Sequence, residues 1–197
     1  MCGRAQYLKV PEIIEEFGPA RVGDVVDAAL AEEAFPRSVV PGLVLHRGER
    51  IVSSFSWAFV DDGPGHNARL ETAPDRPSWR DAYRSARLVL PLARFAEGRA
   101  WFSDPSGHPL AVAGLFRLGA LAPGGTPRRA TMLTRPADGV VAPFHERMPV
   151  ILPTDLIGPW LAGHPVPLPR LLGESPALAA EPITRPGPPP PEQPSLL

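Results

Sequence analysis

Chemistry in this 197-residue chain could begin at its second residue. Removal of Met1 is expected where the residue after it is small, and the mature chain then opens on Cys2. A terminal cysteine carries two nucleophiles on adjacent carbons, an α-amine and a thiol. The amine has a pKa of about 7.7–8, against about 10.4 for a lysine, so far more of it is neutral near pH 7. A neutral amine attacks an aldehyde to give a Schiff base. The neighbouring thiolate can then add to the imine carbon and close a five-membered thiazolidine. Taken alone, Cys2 also reads as an incidental residue at a frayed terminus.

Three further places carry usable side chains. His145 stands at a loop-to-strand junction before the apolar run Met148–Leu152, where an imidazole can point into a cleft and move a proton near neutral pH. A capped surface histidine is the plainer alternative. Asn67, Arg69 and Glu71 alternate, and strand period puts all three on one face; that face can equally be a solvated edge. Glu97 follows the apolar run Leu88–Phe95. A carboxylate leaving a core strand can have a raised pKa and act as acid or base, or be an ordinary loop glutamate. His46, His66, His108 and His164 show no ligand spacing, and one cysteine excludes a multi-cysteine zinc site and an intrachain disulfide. No metal and no cofactor is read.

These residues need elements to hold them. Pro11–Phe17 reads as a short helix with Ile13, Ile14 and Phe17 on one face and Gly18 at its end. Asp27–Phe35 reads as a second helix. Ser38–Leu45 and Ile51–Val60 read as strands, the latter from the alternation of Ile51, Ser53, Phe55, Trp57 and Phe59. A turn is expected at Asp61–Gly65 and a short extended piece at His66–Thr72. Ser78–Ser85 reads as a helix, with Trp79 and Tyr83 four apart, and Arg87–Phe95 as a strand. Arg99–Ser103 and His108–Phe116 read as a hairpin around Asp104–Gly107. Arg129–Thr134 and Met148–Leu152 are further strands, and Thr154 can start a last helix to Ala162. Many strands and few short helices, without regular alternation, argue an α+β class.

Composition narrows the class. Apolar residues make up 44% and charged residues 21%, enough for a core in one domain. No stretch approaches the ~18–20 apolar residues of a membrane span, and Met1–Arg4 is not followed by the apolar run of a signal peptide. A cytoplasmic protein is expected, with no membrane partner. Net charge is -1, yet Lys9 is the only lysine beside 19 arginines. Seven of those arginines lie between Arg69 and Arg99, against Glu71, Asp75, Asp81 and Glu97: a local basic stretch on a near-neutral chain. Glycine and proline together (18 and 28 residues) predict a loop-rich fold. Residues 1–181 are expected to form the domain and 182–197, with seven prolines, an extended tail.

Together the segments resemble the SOS response-associated peptidase family, whose domain is called SRAP. The matching pieces are Met1-Cys2-Gly3-Arg4, Asn67-Ala68-Arg69-Leu70-Glu71-Thr72, Pro77–Arg84, Arg87–Glu97 and His145-Glu146-Arg147-Met148-Pro149-Val150-Ile151-Leu152, in family order over nearly the whole chain. The resemblance implies a single α+β domain built on a curved, mostly antiparallel, barrel-like sheet with short flanking helices. It also implies covalent capture of abasic sites in single-stranded DNA through a thiazolidine on Cys2, as part of a DNA damage response. Asn67 would then hold the terminal amine and sugar, Glu97 would shuttle protons at the Schiff base, and His145 would protonate the sugar ring oxygen or assist reversal. Gly3, Arg4, Arg69 and Arg147 would meet the DNA, with Arg76 and Arg80 as weaker additions, because guanidinium forks match phosphate oxygens. Replication or repair proteins are further partners in that picture, with the protein on the nucleoid when bound to DNA. AP lyase activity is a related expectation. The other readings are a DNA-binding relative that does not crosslink and a peptidase that processes itself through Cys2. Three positions depart from the family pattern: Ser38 stands where an Asn is usual, Ala58 replaces the Gly after Trp57, and Gly98 replaces the Trp after Glu97.

Overall fold

The computed structural model describes residues 2–24, 33–59, 65–119, 127–173 and 176–183. In chain order the elements are β1 (Ala5–Tyr7), α1 (Val10–Phe17), β2 (Arg21–Val22), β3 (Glu33–Ala34), β4 (Val39–His46), β5 (Glu49–Ser56), β6 (Asn67–Arg69), α2 (Arg80–Ser85), β7 (Arg87–Glu97), β8 (Ala100–Ser103), β9 (Leu110–Leu118), β10 (Arg128–Pro136), β11 (Arg147–Pro149), α3 (Thr154–Leu161), α4 (Leu168–Gly173) and β12 (Ala179–Pro182).

β7 organises the sheet. Its first half, Arg87–Leu92, runs antiparallel to β9, and Val89 meets Leu43 of β4. β9 pairs with β10, β10 touches β5 at Arg129 and Ser56, and β5 forms a hairpin with β4. The path β7–β9–β10–β5–β4 therefore returns to β7 and closes an uneven ring. The second half of β7 leaves that ring and takes β1 and β8 as partners. Most pairings are antiparallel; β2–β5, β5–β10 and β6–β10 are parallel. This agrees with the expected α+β class, the sheet being mixed.

The strands at the heart of the sheet bury both faces, which explains their near-continuous apolar sequences. In β7, Leu88, Leu90, Leu92 and Phe95 join Cys2, Tyr7, Phe55, Trp57, Met132 and Met148 in one cluster. Val89 faces the other cluster, where Ile13 and Phe17 of α1 and Leu156 and Trp160 of α3 also lie. The Trp160 indole N–H donates to the Leu88 carbonyl at 3.0 Å and pins α3 to β7. The β4–β5 hairpin turns at Arg47 and Gly48, both with positive φ (52° and 82°), as a two-residue turn that follows strand twist demands.

Several local expectations change. Residues 27–32 of the expected second helix, and residues 61–64 of the expected turn, lie outside the described residues. Glu33 and Ala34 form a strand against β1, not the end of a helix. The hairpin around Asp104–Gly107 does not exist: β8 and β9 never pair with each other, and both instead pair with β7 at different heights. The hairpin partner of β8 is β7, through the tight Gly98-Arg99 turn, a signal too short to stand out in sequence. β5 ends at Ser56, where Trp57 turns its N–H to the Ser38 carbonyl. The strand expected at Met148–Leu152 is β11, Arg147–Pro149, plus a single bridge from Ile151 to Val112. α3 begins after Pro153 with no side-chain cap, so Thr154 is inside the helix. Of the tail, Pro182 closes β12 on the edge of β8, and residues 184–197 lie outside the described residues.

Close packing sets a testable limit at Gly114 of β9. A Cβ there would sit 2.9 Å from the Thr131 carbonyl oxygen and 3.4 Å from Leu88 and Leu90 side-chain carbons. The oxygen belongs to a paired strand and cannot swing away. Gly114→Ala should therefore lower stability by about 1–3 kcal/mol through overpacking, read as a lower urea midpoint with an unchanged slope.

Candidate active site

The site forms where β1 meets the far end of β7. Ala5 lies opposite Phe95 and Gln6 opposite Arg94. The same register carried toward the start of the chain sets Gly3 across from Glu97. The Ala96 N–H donates to the Arg4 carbonyl at 2.9 Å and holds that register. Cys2 is thereby drawn into the core and is fully buried, with its thiol 3.6 Å from the Arg4 carbonyl oxygen.

Asn67 secures it from the other side. β6 runs parallel to β10, with Asn67 beside Met132. The Asn67 amide is buried and donates through Nδ2 to the Cys2 carbonyl at 2.6 Å. Its Oδ1 is buried without a partner among the described residues. Asn67, Arg69 and Glu71 do not share one environment: Asn67 is buried, Arg69 exposed, and Glu71 already lies in the turn after β6. The strand is only three residues long, so its alternation ends before Glu71.

Glu97 closes β7 and is buried. Burial pushes its carboxyl above the ordinary range, toward the neutral form. His145 Nδ1 lies 4.0 Å from Glu97 Oε2. The backbone N–H of Arg147 points at the same Nδ1 from 2.9 Å. The Arg147 carbonyl oxygen lies 3.1 Å from that nitrogen too, so Arg147 offers it both a donor and an acceptor. The loop holding His145 is seated by two contacts: Phe144 packs edge-on against Phe102 of β8 (centroids 5.4 Å apart), and its carbonyl would lie 3.2 Å from a Cβ at Gly98. Gly98 also has φ 60°, so a side chain there would be strained and crowded. The glycine after Glu97 thus belongs with a close approach of the His145 loop.

Burial dominates the Cys2 thiol as well. It is pushed up to about 12, first by desolvation and then by the charge of Glu97. Tyr7 shares this pocket of the core, with its ring edge-on to Trp57 at 6.2 Å.

The arginines divide into two groups. Arg147 is bound inward: Nη1 and Nη2 reach Glu71 at 2.6 and 2.9 Å, and Nη2 also donates to the Thr134 carbonyl at 2.6 Å. Arg4 pairs with Glu33 at 2.6 Å and lies over the Trp101 ring, whose surroundings also hold Arg94. These two guanidiniums are held by protein groups. Arg69, Arg76 and Arg80 are exposed, Arg80 beside Asp81 at 3.5 Å, while Gly3 is half-buried between Cys2 and Arg4. The Glu71–Arg147 fork and the role of Thr134 in it are not readable from sequence, because they join residues 71, 134 and 147. Ser38, one of the departures, uses its hydroxyl to accept the Phe35 N–H at 3.0 Å. Among the described residues no group of three or more acidic, histidine or cysteine side chains could hold a metal. No helix among them is long and apolar enough to cross a membrane.

An α+β ring of strands with a buried second-residue cysteine beside Asn, Glu and His side chains defines a narrow class of protein. The sequence matches the model of the SOS response associated peptidase (SRAP) family over residues 1–185, and the chain belongs to that family. Among its relatives, the abasic site processing protein YoqW of Bacillus subtilis is 25% identical, across 82% of this chain and 80% of that protein. The abasic site processing protein YobE of the same organism is 24% identical, across 82% of each. Two solved structures share the fold. A Bordetella bronchiseptica protein has a TM-score of 0.73 at 23% identity, covering 93% of this chain and all of that one. A Bacteroides thetaiotaomicron protein has a TM-score of 0.71 at 16% identity, covering 91% of this chain and 90% of that one.

The electrostatics make one expectation specific. With its thiol held up to about 12, native Cys2 should react with iodoacetamide at pH 8 more than tenfold slower than the same chain in denaturant. Glu97→Gln removes the second cause of that rise, so it should speed the native reaction. An unchanged rate in that variant would show that the Glu97 charge does not act on the thiol.

Proposed function

We propose that this protein processes abasic sites in DNA by capturing the ring-opened sugar aldehyde on Cys2, in single-stranded DNA. The observation that carries the reading is the convergence of three side chains on the second residue. Asn67 holds the Cys2 carbonyl, and Glu97 and His145 stand 4.0 Å apart beside it. The family and the printed names of the Bacillus relatives support abasic DNA as the substrate.

The chemistry follows from protonation states. Opening the sugar needs a proton on its ring oxygen, and a histidine side chain in its imidazolium form can supply one near pH 7. The terminal amine of Cys2, freed by loss of Met1, attacks the aldehyde. The carbinolamine must then lose water, and the Glu97 carboxyl, its pKa raised by burial, is suited to donate that proton. The thiol adds to the imine carbon and closes the thiazolidine. Asn67 fixes the backbone, so amine and sulfur approach the same carbon. The exposed Arg69, Arg76 and Arg80 supply phosphate contacts; Arg147, bound to Glu71, serves the frame of the site.

Crosslinking in a denaturing gel tests the chemistry. Cys2→Ala should give no stable adduct with an abasic oligonucleotide, and an adduct equal to wild type would overturn the reading. His145→Gln and Glu97→Gln should slow single-turnover capture by about 10²–10⁴-fold while binding to an uncleavable abasic analogue stays near wild type.

Salt dependence tests the DNA surface. Affinity for single-stranded DNA should fall with salt by ~0.7 logarithmic units per phosphate contact. Arg69→Ala and Arg76→Ala should each flatten that slope by about one contact. Arg147→Ala should lower thermal stability and leave the slope unchanged, because its fork is already occupied. A slope that Arg147→Ala flattens most would reverse this division.

A further inference from the structure

His145 and Asn67 reach the site from two strands that never pair with each other. Both strands lie along β10. In one ladder Thr134 stands opposite Arg69 of β6, and in the other it stands opposite Pro149 of β11. The Thr134 carbonyl accepts from both sides: the Leu70 N–H reaches it at 2.9 Å from the end of β6, and Arg147 Nη2 at 2.6 Å from the start of β11. The same guanidinium spans β10 and meets the Glu71 carboxylate with two bonds of 2.6 and 2.9 Å. The Thr134 hydroxyl lies 3.3 Å from Nη2 and donates to the Ala68 carbonyl at 3.2 Å, which adds a further tie to β6.

The main chain of Arg147 holds the imidazole. The ladder bond at this height runs from the Ala137 N–H to the Glu146 carbonyl, so the N–H and carbonyl of Arg147 face away from β10. They lie 2.9 and 3.1 Å from His145 Nδ1. A neutral ring can accept from the N–H, and a protonated ring can donate to the carbonyl. The ring therefore keeps its seat in either form, as a group that passes a proton must. That seat holds only while Arg147 stays in place.

Resting on the capture chemistry proposed for Cys2, we infer that Glu71 is a positioning residue for His145: its two-pronged pairing with Arg147 fixes the peptide groups that seat the imidazole and ties them to the strand that carries Asn67. The step it serves is opening of the sugar. There an N–H bond of the imidazolium breaks and the proton goes to the ring oxygen. The bond from that oxygen to the anomeric carbon breaks, with its electron pair left on oxygen. The anomeric hydroxyl gives its proton to water as the aldehyde C=O forms, and the imidazole recovers a proton from water. A displacement of the imidazole by a fraction of an ångström is felt in this step, because the donor must meet one particular oxygen. An aldehyde that is already open skips the step altogether. Loss of Glu71 is thus expected to penalise the cyclic sugar and to spare a simple aldehyde.

Glu71→Gln keeps the size of the side chain and removes its charge and one acceptor oxygen. The experiment follows wild type, Glu71→Gln, His145→Gln and the double variant, each with Met1 removed, in single turnover with an abasic oligonucleotide and separately with acetaldehyde. Denaturing mass spectrometry counts the adduct. Glu71→Gln should slow capture of the oligonucleotide by about ten- to a hundredfold. Thiazolidine from acetaldehyde should form at the wild-type rate, and binding to an uncleavable abasic analogue should stay near wild type. In the His145→Gln background the same substitution should add no further slowing, because Glu71 acts through the imidazole. Arg147→Lys offers the carboxylate a point charge in place of a fork, and it should repeat the pattern if Glu71→Gln does not fold. Unchanged capture by a folded variant would overturn the inference. So would equal slowing with both aldehydes, or slowing of the same size once His145 is gone. Wild type that closes the ring on acetaldehyde and never on DNA would instead refute the abasic-site reading, and the inference with it.

Discussion

The second residue of a chain should fray, because few contacts hold it against the entropy of a free end. Here that residue is fully buried, and the rest of the site depends on how it is held. Two interactions do so from opposite sides. The Arg4 carbonyl accepts from Ala96 in the β1–β7 ladder, and the Cys2 carbonyl accepts from the Asn67 amide. Each contributes about 0.5–1.5 kcal/mol by itself. Their value lies in direction: one fixes the height of Cys2 along β7, the other its orientation toward β6. Because Glu97 ends the same β7 strand, the ladder that buries Cys2 also brings it to the carboxyl.

Burial then governs the chemistry of every group it encloses. Desolvation opposes the charged form of both the Cys2 thiol and the Glu97 carboxyl and raises the pKa of each. The more exposed edge is built differently. Arg147 and Glu71 form a two-pronged ion pair, and this pairing holds the Glu71 carboxyl below its usual range. The first pair lies inside the dry pocket, and the second fixes the strand carrying Arg147 to the turn after β6. Arg147 in turn presents both its N–H and its carbonyl to His145 Nδ1, so the fork also places the imidazole.

The departures from the family pattern find local causes. Gly98 adopts a left-handed φ and lets the Phe144 carbonyl come close, which sets the His145 loop on the β7–β8 turn. Ser38 closes its own turn by accepting the Phe35 N–H, and its carbonyl receives Trp57. Ala58 is buried and follows Trp57 out of β5. Of the three, Gly98 bears most directly on the site, through the loop that carries His145.

The sequence alone pointed to the candidate chemistry and determined the material of the fold. Once Met1 is removed, Cys2 carries an amine and a thiol on adjacent carbons by covalent structure. The apolar runs of β4, β7 and β10 specify strands because side-chain periodicity is local. Segment order identified the family for the same reason. Long-range pairing could not be read this way. Arg99–Ser103 and His108–Phe116 looked like a hairpin since a turn lies between them, yet both strands gain more by covering different halves of β7. Glu33 and Ala34 pair with β1 across nearly thirty residues of chain, which no local propensity encodes. The Glu71–Arg147 fork and the burial of Tyr7 with Cys2 were equally hidden. Each depends on which distant side chains share a pocket, and only the closed sheet decides how far water is excluded from that pocket and which protons it therefore holds in place.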